Sequence, residues 1–194
     1  MKVLGNTKKG LLFVVSAPAG TGKTTLVQML TDEFSCVIKS VSCTTRKIRH
    51  NEVEGKDYHH LDLDEFEAKI EKGEFLEYAK VFGNYYGTSK PFVEKQLKTG
   101  RHVVLVIETQ GALQLKGKID AIFIFISPPD IHELRRRLSN RKTETAEAIE
   151  QRLSWAEEEM KKASLYDYRI VNDNLKVAYD ALRSIFIAEE HKIR

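Results

Sequence analysis

The chain lacks the features that would mark it as secreted, metal-clasping or membrane-spanning. It has two cysteines, Cys36 and Cys43, in 194 residues, too few for a disulfide framework. Their expected state is that of small, reduced, buried or half-buried residues. No Cys/His grid accompanies them, and the neighbouring His59 and His60 read as strand decoration. The most apolar stretch near the start, LLFVVSA, is about seven residues long, too short to span a bilayer, and no signal-cleavage pattern follows it. A cytoplasmic location with no membrane partner is the resulting expectation. Internal repeats and low-complexity linkers are also absent. Thirty-one basic residues against 28 acidic ones leave a net charge of +3. That balance suits a nucleotide or another small polyanion and excludes a broad nucleic-acid-binding face. With 42% hydrophobic and 30% charged residues, the composition supports one substantial core with small appended lobes.

Hydrophobic runs alternate with helical patterns. Leu11–Ser16 reads as a buried parallel strand bounded by Gly10 and Pro18, and Thr25–Thr31 as a short helix with Leu26 and Leu30 on one face. Val103–Ile107, Ala121–Ile126 and Arg169–Val171 read as further strands. Leu175–Glu189 reads as a closing helix with Ala178, Leu182 and Ile185 on its apolar face. This is an α/β chain with a parallel sheet covered on both sides. Two segments interrupt the rhythm. One, about 35–92, carries polar strands and a helix capped by Asp62 with Glu65 as capping-box partner and ended by Gly73. The other, about 130–163, is a charged helical hairpin with Ile131, Leu134 and Leu138 on its first helix and Ile149, Leu153, Ala156 and Met160 on its second. So thin an apolar stripe gives it little core of its own, and it is expected to move over the main body.

The loop Ala17-Pro18-Ala19-Gly20-Thr21-Gly22-Lys23-Thr24-Thr25 fits G-x-x-x-x-G-K-[ST], with Ala17 in place of the first glycine, between a strand and a helix. Gly20 and Gly22 let backbone N–H groups turn inward around phosphate, and the helix N-terminus adds a favourable dipole. Lys23 supplies a point charge for the β and γ phosphates, and the Thr24 hydroxyl is a ligand for Mg²⁺. Glu108, ending the strand VVLVIE, is the candidate acidic partner. The loop specifies ATP or GTP as donor and leaves the acceptor open.

The acceptor is addressed by SVSCTTRKIRHNEVEGKDY, 40–58. Arg46 and Arg49 stand beside the hydroxyls of Ser42, Thr44 and Thr45, and guanidinium forks grip phosphate bidentately. Tyr58, and Tyr86 in the later turn GNYYGTS, add neutral donors. Two acids, Glu74 and Glu77, precede that turn. An ionised carboxylate facing a base edge accepts from the N1–H and 2-amino group of guanine and leaves adenine unpaired, a discrimination of ~10⁴ or more. Either glutamate could be the one that faces inward.

Taken together, SAPAGTGKTTL, the 40–58 stretch, EFLEYAKVFGNYYGTS, the TQG turn after Glu108, LRRRLSNRKTET and IVND closely resemble the guanylate kinase family over nearly the whole chain. The resemblance implies a P-loop nucleoside monophosphate kinase fold. Its expected parts are a core (1–36, 94–129 and 164–194), a GMP-binding lobe (37–93) and a lid (130–163). It implies Mg²⁺-dependent transfer of the ATP γ-phosphoryl group to GMP, or to dGMP. Carried over position by position, Ser42 and Glu77 read the base, with Thr88 as a hydroxyl near it. Arg46, Arg49, Tyr58 and Tyr86 hold the acceptor phosphate. Arg137, Arg141 and Arg152 reach the donor phosphates from the lid, Asn172 lies near the adenosine half, and Glu108 takes a position where aspartate is usual. VVLVIE departs from the family pattern LDID in placing Val106 where the first aspartate is expected. That removes a metal–water or ribose contact, part of which falls to Glu108. The oligomeric state, monomer or dimer, is left open by the sequence.

Other classes fit less well. A phosphopeptide-binding module of similar outline normally loses Gly22, Lys23 and Thr24. A sugar-phosphate kinase has no use for Ser42, Glu77 and the tyrosines. A nucleic-acid motor needs more chain and more basic surface.

Overall fold

The computed structural model describes residues 2–50, 52–81, 83–140 and 145–193. In chain order the elements are β1 (Leu12–Ser16), α1 (Lys23–Glu33), β2 (Val37–Lys39), β3 (Ser42–Thr44), β4 (Tyr58–His60), α2 (Leu63–Glu71), β5 (Phe75–Val81), β6 (Asn84–Ser89), α3 (Lys90–Lys98), β7 (His102–Val106), α4 (Thr109–Leu115), β8 (Ile122–Ser127), α5 (Ile131–Ser139), α6 (Ala146–Lys161), a 3₁₀ turn (Lys162–Leu165), β9 (Tyr168–Val171) and α7 (Leu175–His191).

Five strands form a parallel sheet in the order β2-β7-β1-β8-β9. The pleat of β1 explains its unbroken apolar run: Phe13 and Val15 point into one core cluster, and Leu12 and Val14 into another on the opposite face. The first cluster is closed by α1 and α7 through Leu26, Leu30, Leu182 and Phe186, with Phe186 stacked on Phe13 at 3.6 Å between ring centroids. The second is closed by α3 and α4 through Val93, Ala112 and Leu115. Each fully buried Leu or Phe in such a setting contributes about 1.5–3 kcal/mol. The carboxyl ends of the strands meet at one edge, where β1 runs into the glycine loop and β7 into Glu108.

A second sheet, β4-β3-β6-β5, mixes parallel and antiparallel pairs. Helix α2 covers one face: Phe66 stacks on Phe75 at 4.4 Å and on Tyr85 at 5.2 Å. A Cβ at Gly87 would lie 2.9 Å from the Phe75 ring, so glycine is what lets that stack close. A register shift between Phe75 and Tyr78 puts both of these rings on the α2 side, while Glu77 turns to the other face. The helix boundaries follow the sequence signals. Asp62 accepts from Glu65 N at 2.7 Å and Asp130 from Glu133 N at 2.7 Å, and Gly73 adopts φ 64° just past α2.

The charged hairpin α5–α6 has a small core of Leu134, Leu138, Leu153 and Ala156, flanked by Ile131 and Ile149. Its first helix rests on the glycine loop, since a Cβ at Gly20 would lie 2.9 Å from Leu138 Cδ2. Both cysteines are free thiols. No helix among the described residues is long and apolar enough to cross a membrane.

Candidate active site

The turn from β1 into α1 is built by backbone. Gly20 and Gly22 have φ of 90° and 88°, the left-handed region that L side chains rarely adopt. Helix α1 begins at Lys23 with no side-chain cap, so no side chain occupies its first N–H groups. Ala17 and Pro18 are buried and Ala19 is exposed. Thr21 is fully buried, and its hydroxyl donates to Pro18 O at 2.9 Å. Thr24 and Thr25 are exposed on the first turn of α1. Lys23 Nζ donates to the carbonyls of Ala17 and Ile107, both at 3.4 Å, and pairs with Glu108 Oε1 at 3.6 Å. Asn172 approaches from β9. Its amide donates to Thr21 O at 2.7 Å and packs where a Gly22 Cβ would fall, 2.6 Å away. In this conformation Asn172 braces the loop itself.

Across the cleft lies the uncovered face of the second sheet. A cavity of about 680 Å³ is lined by Ala19 of the loop and, opposite it, by Ser42, Arg46, Arg49, Tyr58, Glu77 and Tyr86. Glu108, Thr109, Gly111 and Arg152 also border it. Arg46 lies over the Tyr58 ring at 5.3 Å, and Tyr58 meets Tyr86 edge-on at 5.9 Å, so the rings fix the guanidinium. Arg46 Nη2 donates to Glu52 Oε1 at 2.6 Å, and Glu52 also accepts from Arg49 N at 3.0 Å. Burial works against the Glu52 charge, but the hydrogen bonds from Arg46 and Arg49 hold its carboxyl below the ordinary range. Glu52 thus balances Arg46 inside the acceptor wall. It escaped the sequence reading, although its place three residues after Arg49 was a usable signal.

Of the two candidate glutamates, Glu74 pairs with Lys69 at 3.1 Å near the surface, and Glu77 lines the cavity at 6% exposure. Thr88, itself 1% exposed, donates to Glu77 Oε1 at 2.6 Å. Burial pushes the Glu77 carboxyl above its usual range, opposed by that hydroxyl. Thr88 therefore orients Glu77 and does not line the cavity. Behind Glu77 lies Gly111, where a Cβ would sit 2.5 Å from Glu77 Oε2. The TQG turn is small because the carboxylate backs onto it.

The hairpin residues divide. Arg152 lines the cleft. Arg137 donates to Glu133 Oε1 at 2.7 Å, and the guanidinium groups of Arg136 and Arg137 lower the Glu133 carboxyl to about 2. Arg137 is thereby drawn along α5 and is not among the cavity-lining residues. Arg141 lies outside the described residues. No cluster of three or more His, Cys, Asp or Glu side chains with metal-binding geometry occurs among the described residues. Mg²⁺ keeps several waters and takes only one or two protein oxygens beside substrate phosphates. The hard oxygen donors of Thr24 and Glu108, flanking Lys23, are compatible with such binding.

Opposed anion cradles in one cleft serve a reaction whose donor and acceptor both carry phosphate. With a glycine–lysine loop at the end of a parallel strand, they define the class of P-loop nucleoside monophosphate kinases. The sequence model of the family described as guanylate kinase matches residues 9–189. The chain is 58% identical to the guanylate kinase of Protochlamydia amoebophila over 97% of its own length and 96% of that protein. It is 46% identical to that of Lactococcus lactis over 96% and 91%. The crystal structure of guanylate kinase from Anaplasma phagocytophilum superimposes with a TM-score of 0.78 at 36% identity, covering 96% of this chain and 89% of that one. The chain belongs to the guanylate kinase family.

Proposed function

We propose that this protein transfers the γ-phosphoryl group of ATP to GMP, giving ADP and GDP, with the residues of the cleft in the following roles. The loop amides and Lys23 hold the donor phosphates. Arg46 and Arg49, steadied by Tyr58 and Tyr86, hold the acceptor phosphate. Glu77, aimed by Thr88, takes the N1–H and 2-amino group of guanine, and Ser42 adds a hydroxyl at the base. Mg²⁺, held through Thr24 with Glu108 nearby, supplies charge neutralisation on the donor oxygens when bound. No general base is required, because the acceptor phosphate is largely ionised near neutrality. Residues 37–93 act as the acceptor lobe, and 130–163 as a lid on the core. Closure of the lid brings Arg152, with Arg137 and Arg141, toward charge developing on the transferring group and excludes water that would compete as acceptor.

The observation that carries this reading is the single cavity lined by both Ala19 of the phosphate loop and Arg46, Glu77 and Tyr86 of the second sheet. ADP release from ATP and Mg²⁺, measured with GMP, dGMP, AMP or no acceptor, tests it. Turnover is expected with GMP, and with dGMP, which presents the same base edge and phosphate. AMP and the blank should be near background. Comparable rates with AMP would remove Glu77 from base selection.

A further inference from the structure

Helix α6 turns one face to the cleft: Arg152, Trp155, Glu158 and Glu159, followed by Lys162, all line the cavity. Glu159 is the acid on that face most engaged with the opposite wall. Burial and the Glu108 charge disfavour its ionised form, while the hydroxyl and N–H of Thr109, together with Lys23, favour it. Thr109 is 1% exposed, and its hydroxyl is buried without a hydrogen bond in this conformation. The buried hydroxyls of Ser16 and Tyr166 are in the same condition; burial pushes the Tyr166 hydroxyl up, the neighbouring Ser16 and Thr109 hydroxyls oppose that, and the Glu159 and Glu108 charges add to it. Hydroxyls can chain to one another, but the chain always ends in a donor that needs an acceptor. An ionised carboxylate accepts only, and Glu159 lines the same cavity as Thr109. Ser16 is the last residue of β1, directly before the phosphate loop, so this group of hydroxyls lies at the root of the donor cradle.

We propose that Glu159 is a positioning residue of phosphoryl transfer. It terminates the buried Ser16–Tyr166–Thr109 hydroxyl group when the lid closes, and so seats the face of α6 that carries Arg152 over the Lys23 loop. The inference rests on the kinase reading above. Val106, which brings no carboxylate to the end of β7, leaves this side of the cleft to Glu108 and Glu159. Arg152 and Glu159 are two helical turns apart, so fixing one sets the other.

The chain's only tryptophan, Trp155, lies on the same face and reports on the seating. Its fluorescence is followed as GMP and β,γ-methylene-ATP with Mg²⁺ are added, alongside steady-state GDP formation and melting temperature. Glu159→Ala and Thr109→Val are each expected to lower kcat by up to about 10²-fold, the scale of a small misplacement. KM for both nucleotides should stay within about twofold, as for an interaction made only in the transition state. The Trp155 response should shrink in both variants. Thr109→Ser should restore kcat, the double variant should be no worse than either single one, and neither change should matter in an Arg152→Ala background. Full kcat in Thr109→Val, or strictly additive losses, would overturn the proposal. If Glu159→Ala melts early, Thr109→Val decides alone. Absence of GDP formation by the unaltered protein would instead indict the kinase reading, while the Trp155 response would still judge the seating.

Discussion

The cleft has two walls made in different ways. The donor wall is mostly main chain: two left-handed glycines, an uncapped helix start and one lysine, on strands buried on both faces. The acceptor wall is mostly side chain: Arg46, Tyr58, Glu77 and Tyr86 projecting from a sheet covered on one face only. Backbone amides recognise any polyphosphate of the right shape, whereas a fixed carboxylate with its orienting hydroxyl recognises one base edge. On the proposed reading, the difference puts selectivity in the acceptor wall, and damage to the two walls should separate kinetically.

The largest effect should come from the donor wall. Lys23→Ala is expected to lower kcat by about 10³-fold or more, with GMP affinity by calorimetry unchanged. Weakened GMP binding of similar size would blur the division. Next, Arg46→Ala should cut kcat/KM for GMP by about 10²–10³-fold, with binding of β,γ-methylene-ATP preserved. It also leaves Glu52 without its guanidinium, so Arg46→Ala/Glu52→Gln should recover part of the loss.

The base-reading group gives a pH signature. Burial raises the Glu77 carboxyl above its usual range, and the proposed guanine recognition needs the charged form. The acid limb of kcat/KM for GMP should therefore carry a Glu77 contribution above the range of an ordinary glutamate, and Glu77→Gln should leave only the limb of the acceptor phosphate, at a cost of about 10²-fold. Stability runs the other way. Because the folded pKa exceeds the unfolded one, the contribution of Glu77 to the ligand-free fold is fully present in acid and is lost as pH rises through the folded value. Thermal shift by GMP should accordingly grow over that interval. The smallest effect belongs to Gly111→Ala, whose methyl would crowd Glu77 Oε2. KM for GMP should rise by about tenfold with KM for ATP unmoved.

The same contrast explains what could be read from the chain. The donor loop was legible because backbone curvature needs glycine at fixed spacing, and its elements are contiguous. The helix starts at Asp62 and Asp130 were legible because capping acts over three residues. Helix α3 carried a comparable signal, Ser89 accepting from Phe92 N with Pro91 in the first turn, but its polar face hid it. The backing of Glu77 by Gly111 and the bracing of the loop by Asn172 were not legible. Each depends on residues far apart in sequence, and nothing in local spacing encodes such a meeting. The choice between Glu74 and Glu77 turned on the register shift in β5, which the alternation of FLEYAKV does not announce.

That the walls face each other within one phosphoryl-transfer distance is tested most directly by a single molecule joining adenosine and guanosine through five phosphates. Its dissociation constant is measured by calorimetry against ATP and GMP alone. Binding tighter than the better single nucleotide by about 10²-fold or more, and weakened by Lys23→Ala and Arg46→Ala alike, is the expected result. An affinity no better than that of ATP, indifferent to Arg46, would contradict it.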